Sequence, residues 1–170
     1  MANAHVPPQD IETEVSCISS VLLSRDALLK VTQILRPEDF YLESHRIIFG
    51  IISDLERRNL PVDLVTLKQR LSDLNLLEKA GGDSALVDLY RAVSTSANAE
   101  YYAHRVRELS LRRRLIEVSS GVIEKCFDTA GDTRELLDEV ERDVFNVTER
   151  RISSDFRGID EVMKSTLDII

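Results

Sequence analysis

Two cysteines, three histidines and thirty carboxylates are the side chains of this 170-residue chain that could act as nucleophiles, metal ligands or general acids and bases. Cys17 and Cys126 stand far apart, with no CxxC spacing and no histidine nearby in sequence, so both read as buried or half-buried free thiols rather than a disulfide or a metal pair. His5 lies at the very start. His45 and His104 fall on helical stretches beside Arg46 and Arg105, where structural or surface roles are expected. None of the six glycines precedes Lys-Ser or Lys-Thr at the spacing of a phosphate-binding GxxxxGK[ST] loop, so this chain holds no such ATP site. HExxH and GxSxG are absent as well. The carboxylates follow the solvated faces of helices. No catalytic residue, no cofactor-binding residue and no metal ligand is expected.

The one sign-biased patch is Arg105, Arg107, Arg112, Arg113 and Arg114. Nucleic-acid contact needs a neutral or basic surround, and this chain carries 22 Lys+Arg against 30 Asp+Glu, a net charge of -8. The arginines are expected to pair with Glu108, Glu117 and the acidic run Asp132, Glu135, Asp138, Glu139, Glu141 and Asp143. A helix-turn-helix reading of residues 63–82 fails for a similar reason, because its recognition helix would be acidic.

The elements that must position these residues follow from composition and periodicity. With 43% apolar residues, 5% aromatics, no Trp and only 6 Gly and 4 Pro, the chain has a core's worth of aliphatic side chains but few turn residues. An all-α fold is expected, burying roughly 70% of the unfolded surface. No apolar run approaches the roughly 20 residues of a membrane span, and residues 1–10 lack the features of a secretion signal, which makes a cytoplasmic setting the expectation.

Residues 1–9 read as a flexible N-terminus and 10–97 as a globular head of short helices. Asp10 caps a first helix with Ile11, Val15, Ile18 and Leu22 on one face. A second runs from about Ala27 to Leu35, ahead of Pro37. A third begins near Glu43 and carries Ile47, Ile48, Ile51, Ile52 and Leu55. Asp63 caps a fourth, with Leu64, Leu67 and Leu71. Gly81-Gly82 breaks the chain before a helix from Ser84 to Val93.

Residues 98–151 read as an antiparallel hairpin: a long helix from Asn98 to Asp128, with a kink expected near Ser110 or Gly121, then a turn at 129–131 and a helix started by Asp132 and Glu135 and running to about Arg150. The first arm has two apolar stripes, one of Leu111, Leu115, Val118 and Val122, the other of Leu109, Ile116, Ile123 and Phe127. The second arm offers Leu136, Val140, Val144 and Val147, enough to cover one stripe. The other apolar surface is expected to meet another chain or the head. After a linker at 152–157, residues 158–170 carry Ile159, Val162, Met163, Leu167 and Ile170 on one face. So short a helix is marginal alone. It is expected to dock outside this chain, as the front part of a longer protein would.

Three ordered blocks, VPPQDIETEVSCISSVLL, LRPEDFYLESHRIIFGII followed by LPVDLVTLKQRL, and STSANAEYYAHRVRELSLRRRLIEVSSGVIE, resemble the N-terminal domain of bacterial replicative DNA helicases of the DnaB type. The resemblance spans residues 6 to 170, with Pro37 to Tyr41, His45 to Phe49 and Pro61 to Thr66 as its specific segments. The sequence departs from the family at Ser16-Cys17, Ser19-Ser20 and Arg91 to Thr95. The resemblance implies a helical head, a hairpin and a linker helix leading to a RecA-type ATPase domain outside this chain, where ATP and Mg²⁺ would bind. It implies six copies in a ring that unwinds duplex DNA, with N-terminal domains as a trimer of dimers, primase docked on that collar and a helicase loader as a further partner.

Under that resemblance Leu111, Leu115, Val118, Leu136, Val140 and Val144 are assigned to self-assembly. Arg113, Ile116, Val122 and Ile123 are assigned to primase, and Ile159, Val162, Met163 and Leu167 to docking on a neighbouring subunit's ATPase domain. A freestanding helical adaptor or loader-like protein is the alternative, and a DNA-binding regulator using the arginines is a third reading.

Overall fold

The computed structural model describes residues 6–127 and 131–147, and every regular element among them is helical. In order they are α1 (Ile11–Leu23), α2 (Arg25–Ile34), a 3-10 turn (Pro37–Asp39), α3 (Glu43–Arg57), α4 (Leu64–Asp73), α5 (Gly82–Arg91), α6 (Ala99–Phe127) and α7 (residues 133–147). The expected linker at 152–157 and the helix at 158–170, with Ile159, Val162, Met163 and Leu167, lie outside the described residues.

The helix starts follow local chemistry. Asp10 accepts the Thr13 amide and Asp63 the Thr66 amide, as the two N-caps require. Ser24 accepts the Ala27 amide, so α2 begins at Arg25, earlier than the apolar pattern suggests. Three segments end in the same way. Beyond α3 the Leu60 amide donates to the Leu55 carbonyl and Asn59 to Glu56; beyond α4, Leu76 donates to Leu71 and Asn75 to Ser72; beyond the turn at 77–80, Gly82 donates to Leu77 and Gly81 to Glu78. This is the paired hydrogen-bond pattern of a helix end closed by one left-handed residue. Asn59 (φ 54), Asn75 (φ 55) and Gly81 (φ 99) are those residues. With Gly81 closing one turn, α5 starts at Gly82 rather than Ser84 and ends at Arg91 rather than Val93.

The chain divides into two compact units between Ser110 and Leu111, a point inside α6. In the first unit α1 packs on α2, α3 and α5, α3 on the 3-10 turn and α4, and α4 on α5. Ile18, Val21, Val31, Phe40, Ile48, Phe49, Ile52, Leu55, Leu67, Leu71 and Leu86 are buried in one core, and Ala99, Ala103 and Val106 join it. The beginning of α6 therefore completes the expected head. In the second unit the rest of α6 is joined to α7 by ion pairs from Lys125 to Glu139 at 2.6 Å and Asp143 at 3.4 Å. The helical hydrogen bonding of α6 continues without interruption through Ser110 and Gly121.

Candidate protein-docking surface

The side chains best suited to chemistry are committed to the fold. Glu14, only 2% exposed, lies on the apolar face of α1 and reaches the start of α3. One carboxylate oxygen accepts the Tyr41 amide at 2.5 Å; the other accepts the Leu42 amide at 3.4 Å and faces His45 Nδ1 at 2.7 Å. Leu42, the N-cap of α3, has no side chain that can cap, so a carboxylate from a distant helix satisfies those amides. Asp39, wholly buried, accepts the Arg36 amide at 2.8 Å through one oxygen and Arg107 Nη1 and Ser110 Oγ, each at 2.7 Å, through the other. Ser19 donates to the Tyr90 carbonyl and accepts the Val93 amide, tying α1 to the end of α5.

These contacts correct several sequence expectations. Glu14 and Asp39 are not on solvated faces, because each meets donors its own helix or turn cannot provide. Arg107 pairs with the buried Asp39, at 2.7 Å, and Arg105 pairs with Glu108, at 2.9 Å. Lys125 reaches the acidic arm, and its hydrogen bond to Glu139 holds its ammonium above the usual lysine range, with Asp143 adding to the effect. Both cysteines are free thiols, but Cys126 is exposed rather than buried. Burial in the head core, and secondarily the Glu14 charge, pushes the Cys17 thiol up to about 12. His45 is structural and His104 exposed.

Two of these buried roles had a readable signal. Glu14 sits with Ile11, Val15 and Ile18 at i, i+3, i+4 and i+7, and Ser110 with Ala99, Ala103 and Val106 at i, i+4, i+7 and i+11. A polar residue on an apolar stripe must find a partner.

No three His, Cys, Asp or Glu side chains among the described residues are arranged to hold a metal ion. What the second unit presents instead is apolar surface. Leu111, Val118, Val122, Leu136 and Val140 are half-buried and Val147 is buried. Leu115 and Val144 are 44% and 43% exposed. Ile116, Ile123 and Phe127, spaced i, i+7 and i+11 along α6, share one side of that helix and are all exposed, Phe127 at 84%. Leu137 and Phe145 on α7 are exposed too. Of the residues assigned to self-assembly, then, the structure half-buries Leu111, Val118, Leu136 and Val140 and leaves Leu115 and Val144 open. Of those assigned to primase, Ile116 and Ile123 lie open while Arg113 and Val122 are half-buried. Isolated apolar residues on a surface need no explanation, but a stripe on one helix side does.

The family model described as the DnaB-like helicase N terminal domain matches residues 6–108. The replicative DNA helicase DnaC of Bacillus subtilis (strain 168) is 37% identical over 170 residues, covering 100% of this chain and 37% of the relative. The replicative DNA helicase DnaB of Geobacillus stearothermophilus is 39% identical over 165 residues, covering 97% of this chain and 36% of the relative. The chain thus spans little more than a third of either relative's length. Among solved structures, the N-terminal domain of DnaB helicase from Mycobacterium tuberculosis superposes with a TM-score of 0.79 at 37% identity, covering 83% of this chain and 99% of that one. A DnaB-like replicative helicase, solved in a study of its interactions with primase, shares the fold at a TM-score of 0.68 and 20% identity, over 81% of this chain and 31% of that one. On the strength of the matched domain and of relatives aligned along its whole length, this chain belongs to the family of DnaB-like helicase N-terminal domains.

Proposed function

We propose that this chain is the N-terminal collar of a replicative DNA helicase, a cytoplasmic ring that unwinds duplex DNA with ATP, and that the collar assembles the ring and recruits primase. The observation that carries the reading is the alignment of all 170 residues with a replicative helicase of which they make up 37%. The remaining length is where an ATPase domain binding ATP and Mg²⁺ belongs, and no step of the unwinding chemistry is assigned to residues of this chain. Self-assembly uses Leu111, Leu115, Val118, Leu136, Val140 and Val144. Primase docks on Ile116 and Ile123, bordered by Arg113 and Val122. The exposed stripe through Ile116, Ile123 and Phe127 supports a partner on that side of α6, and a protein of the same fold has been studied for its interactions with primase. The helix at 158–170 docks, through Ile159, Val162, Met163 and Leu167, on the ATPase domain of the next subunit, and a helicase loader is a further partner.

Light scattering with and without the C-terminal domain of a bacterial primase tests the two stripes. Burying one such side chain contributes about 1.5–3 kcal/mol, a factor of roughly 10 to 150 in affinity. Leu115→Asp should lower the assembled mass, and Ile116→Asp should keep the mass but weaken primase binding at least tenfold. If both variants keep the parent mass and both still bind primase, the assignment fails. Sequencing the native reading frame past Ile170 separates a motor from an adaptor: a GxxxxGK[ST] motif after a predicted strand supports the helicase, and an early stop codon overturns it.

A further inference from the structure

Two side chains of the first unit carry charge against their own helices. Arg25 is the first residue of α2, at a helix end that is partially positive, and Glu56 lies in the last turn of α3, at an end that is partially negative. Neither side chain makes a hydrogen bond or an ion pair among the described residues. Each charge is therefore mildly unfavourable to its helix, and no described partner offsets that.

Both residues line one hollow of about 150 Å³. One wall, from the start of α2, carries Arg25 and Leu29. The other, from the end of α3 and the turn after it, carries Glu56 and Leu60, and the end of α1 adds Leu23. Leu23, Leu29 and Leu60 are 38%, 41% and 46% exposed, and Leu74 is the only other exposed leucine among the described residues of this unit. Exposed leucines thus gather at one place, with a positive charge on one wall and a negative charge on the other.

The two charges decide what covers this patch. A small apolar molecule would fill the hollow and leave both unanswered. A basic segment would meet Arg25, and an acidic one would meet Glu56, so each would be repelled on one side. The occupant must bring both signs around an apolar centre, which is the composition of the patch itself. In a contact with two-fold symmetry, residue i of one copy meets residue j of the other and j meets i. We propose that this face of the head docks a second copy of this chain, with Arg25 of each copy pairing with Glu56 of the other and the exposed leucines closing over both hollows. The inference rests on the proposed self-assembly only in needing a second copy, and none of its residues belongs to the hairpin stripes.

The test is sedimentation equilibrium of the full chain carrying Leu115→Asp, which disables the proposed hairpin contact. This parent should still dimerise, with a dissociation constant below about 1 mM. Arg25→Glu and Glu56→Arg, each added singly, should weaken the dimer at least about tenfold by setting like charges together. Neither should lower the thermal midpoint of the dilute chain, because each places on its helix end the sign that end favours. Mixing the two single variants should bring association back to within about threefold of the parent, since every pair across the mixed dimer again joins opposite charges. A parent that stays monomeric, single variants that associate as tightly as the parent, or a mixture that associates no better than its components would each overturn the proposal. Failure of the hairpin assignment reads separately, as a mass that Leu115→Asp does not lower.

Discussion

Glu14 is a charge held inside the head by three donors from one short segment of chain. Two of them are backbone amides at the entry to α3, which carries positive partial charge where a helix begins. Replacing Glu14 by Gln keeps the shape but turns an amide NH₂ toward groups that are themselves donors. The loss should be about 2–4 kcal/mol in urea unfolding, and a loss under about 0.5 kcal/mol would show that water satisfies these amides instead. Its neighbour Cys17 reports burial through pH. The thiol is raised from 9.0 to about 12 in the folded chain, so between those values the unfolded state releases a proton that the folded state keeps. Folding is therefore favoured by this thiol below pH 9, and the contribution is lost as pH rises toward 12. Stability measured against a Cys17→Ala reference should fall across that window. A thiol reagent at pH 8 should label exposed Cys126 in the native chain and Cys17 only after denaturation.

At the scale of the element, the head's short helices owe their lengths to how they stop. Asn59 and Asn75 take a left-handed conformation that Asn tolerates and Gly adopts freely. Asn75→Gly should therefore leave thermal stability unchanged or raise it by a few tenths of a kcal/mol, and Asn75→Ala should lower it by about 1 kcal/mol. Gly81 is the stricter case. Its φ is 99°, and a Cβ there would come within 2.8 Å of the Ala85 Cβ, so Gly81→Ala should cost about 1–3 kcal/mol. A calorimetric midpoint unchanged by Gly81→Ala would mean that the turn before α5 can relax. The caps Asp10 and Asp63 act at the other ends, each satisfying an amide that its helix leaves open.

At the scale of the whole molecule, charge decides which partners are drawn in. The chain is acidic, and two members of its arginine run are engaged by Glu108 and Asp39. Binding of this chain to single-stranded DNA should be weaker than about 100 μM at physiological salt. A fluorescence anisotropy titration showing tight binding, with affinity falling steeply as salt is added, would return the arginines to a nucleic-acid role. What the second unit offers is apolar surface on both helices of the hairpin. Ile116, Ile123, Phe127, Leu137 and Phe145 are exposed, so burying them against a partner, as proposed above, would be favourable in proportion to the apolar area removed from water.

The amino-acid sequence by itself determined the helical class, the starts of α1, α3 and α4, and the order of the elements, because caps and a 3.6-residue apolar period act within one or two turns of chain. It also carried the family, since three ordered blocks can be compared without any knowledge of their contacts. Only the tertiary structure decided which polar residues go inside. Glu14 meets Tyr41, Ser19 meets Tyr90 and Val93, and Asp39 meets Arg107 and Ser110 across intervals of 27 to 74 residues. Periodicity marks the face a residue lies on but not what is packed against that face. For the same reason Leu115 and Val118, one turn apart on one apolar stripe, part company, the first exposed and the second half-buried. A buried polar group is tolerated only where donors converge on it, and that convergence exists only once distant segments have been brought together.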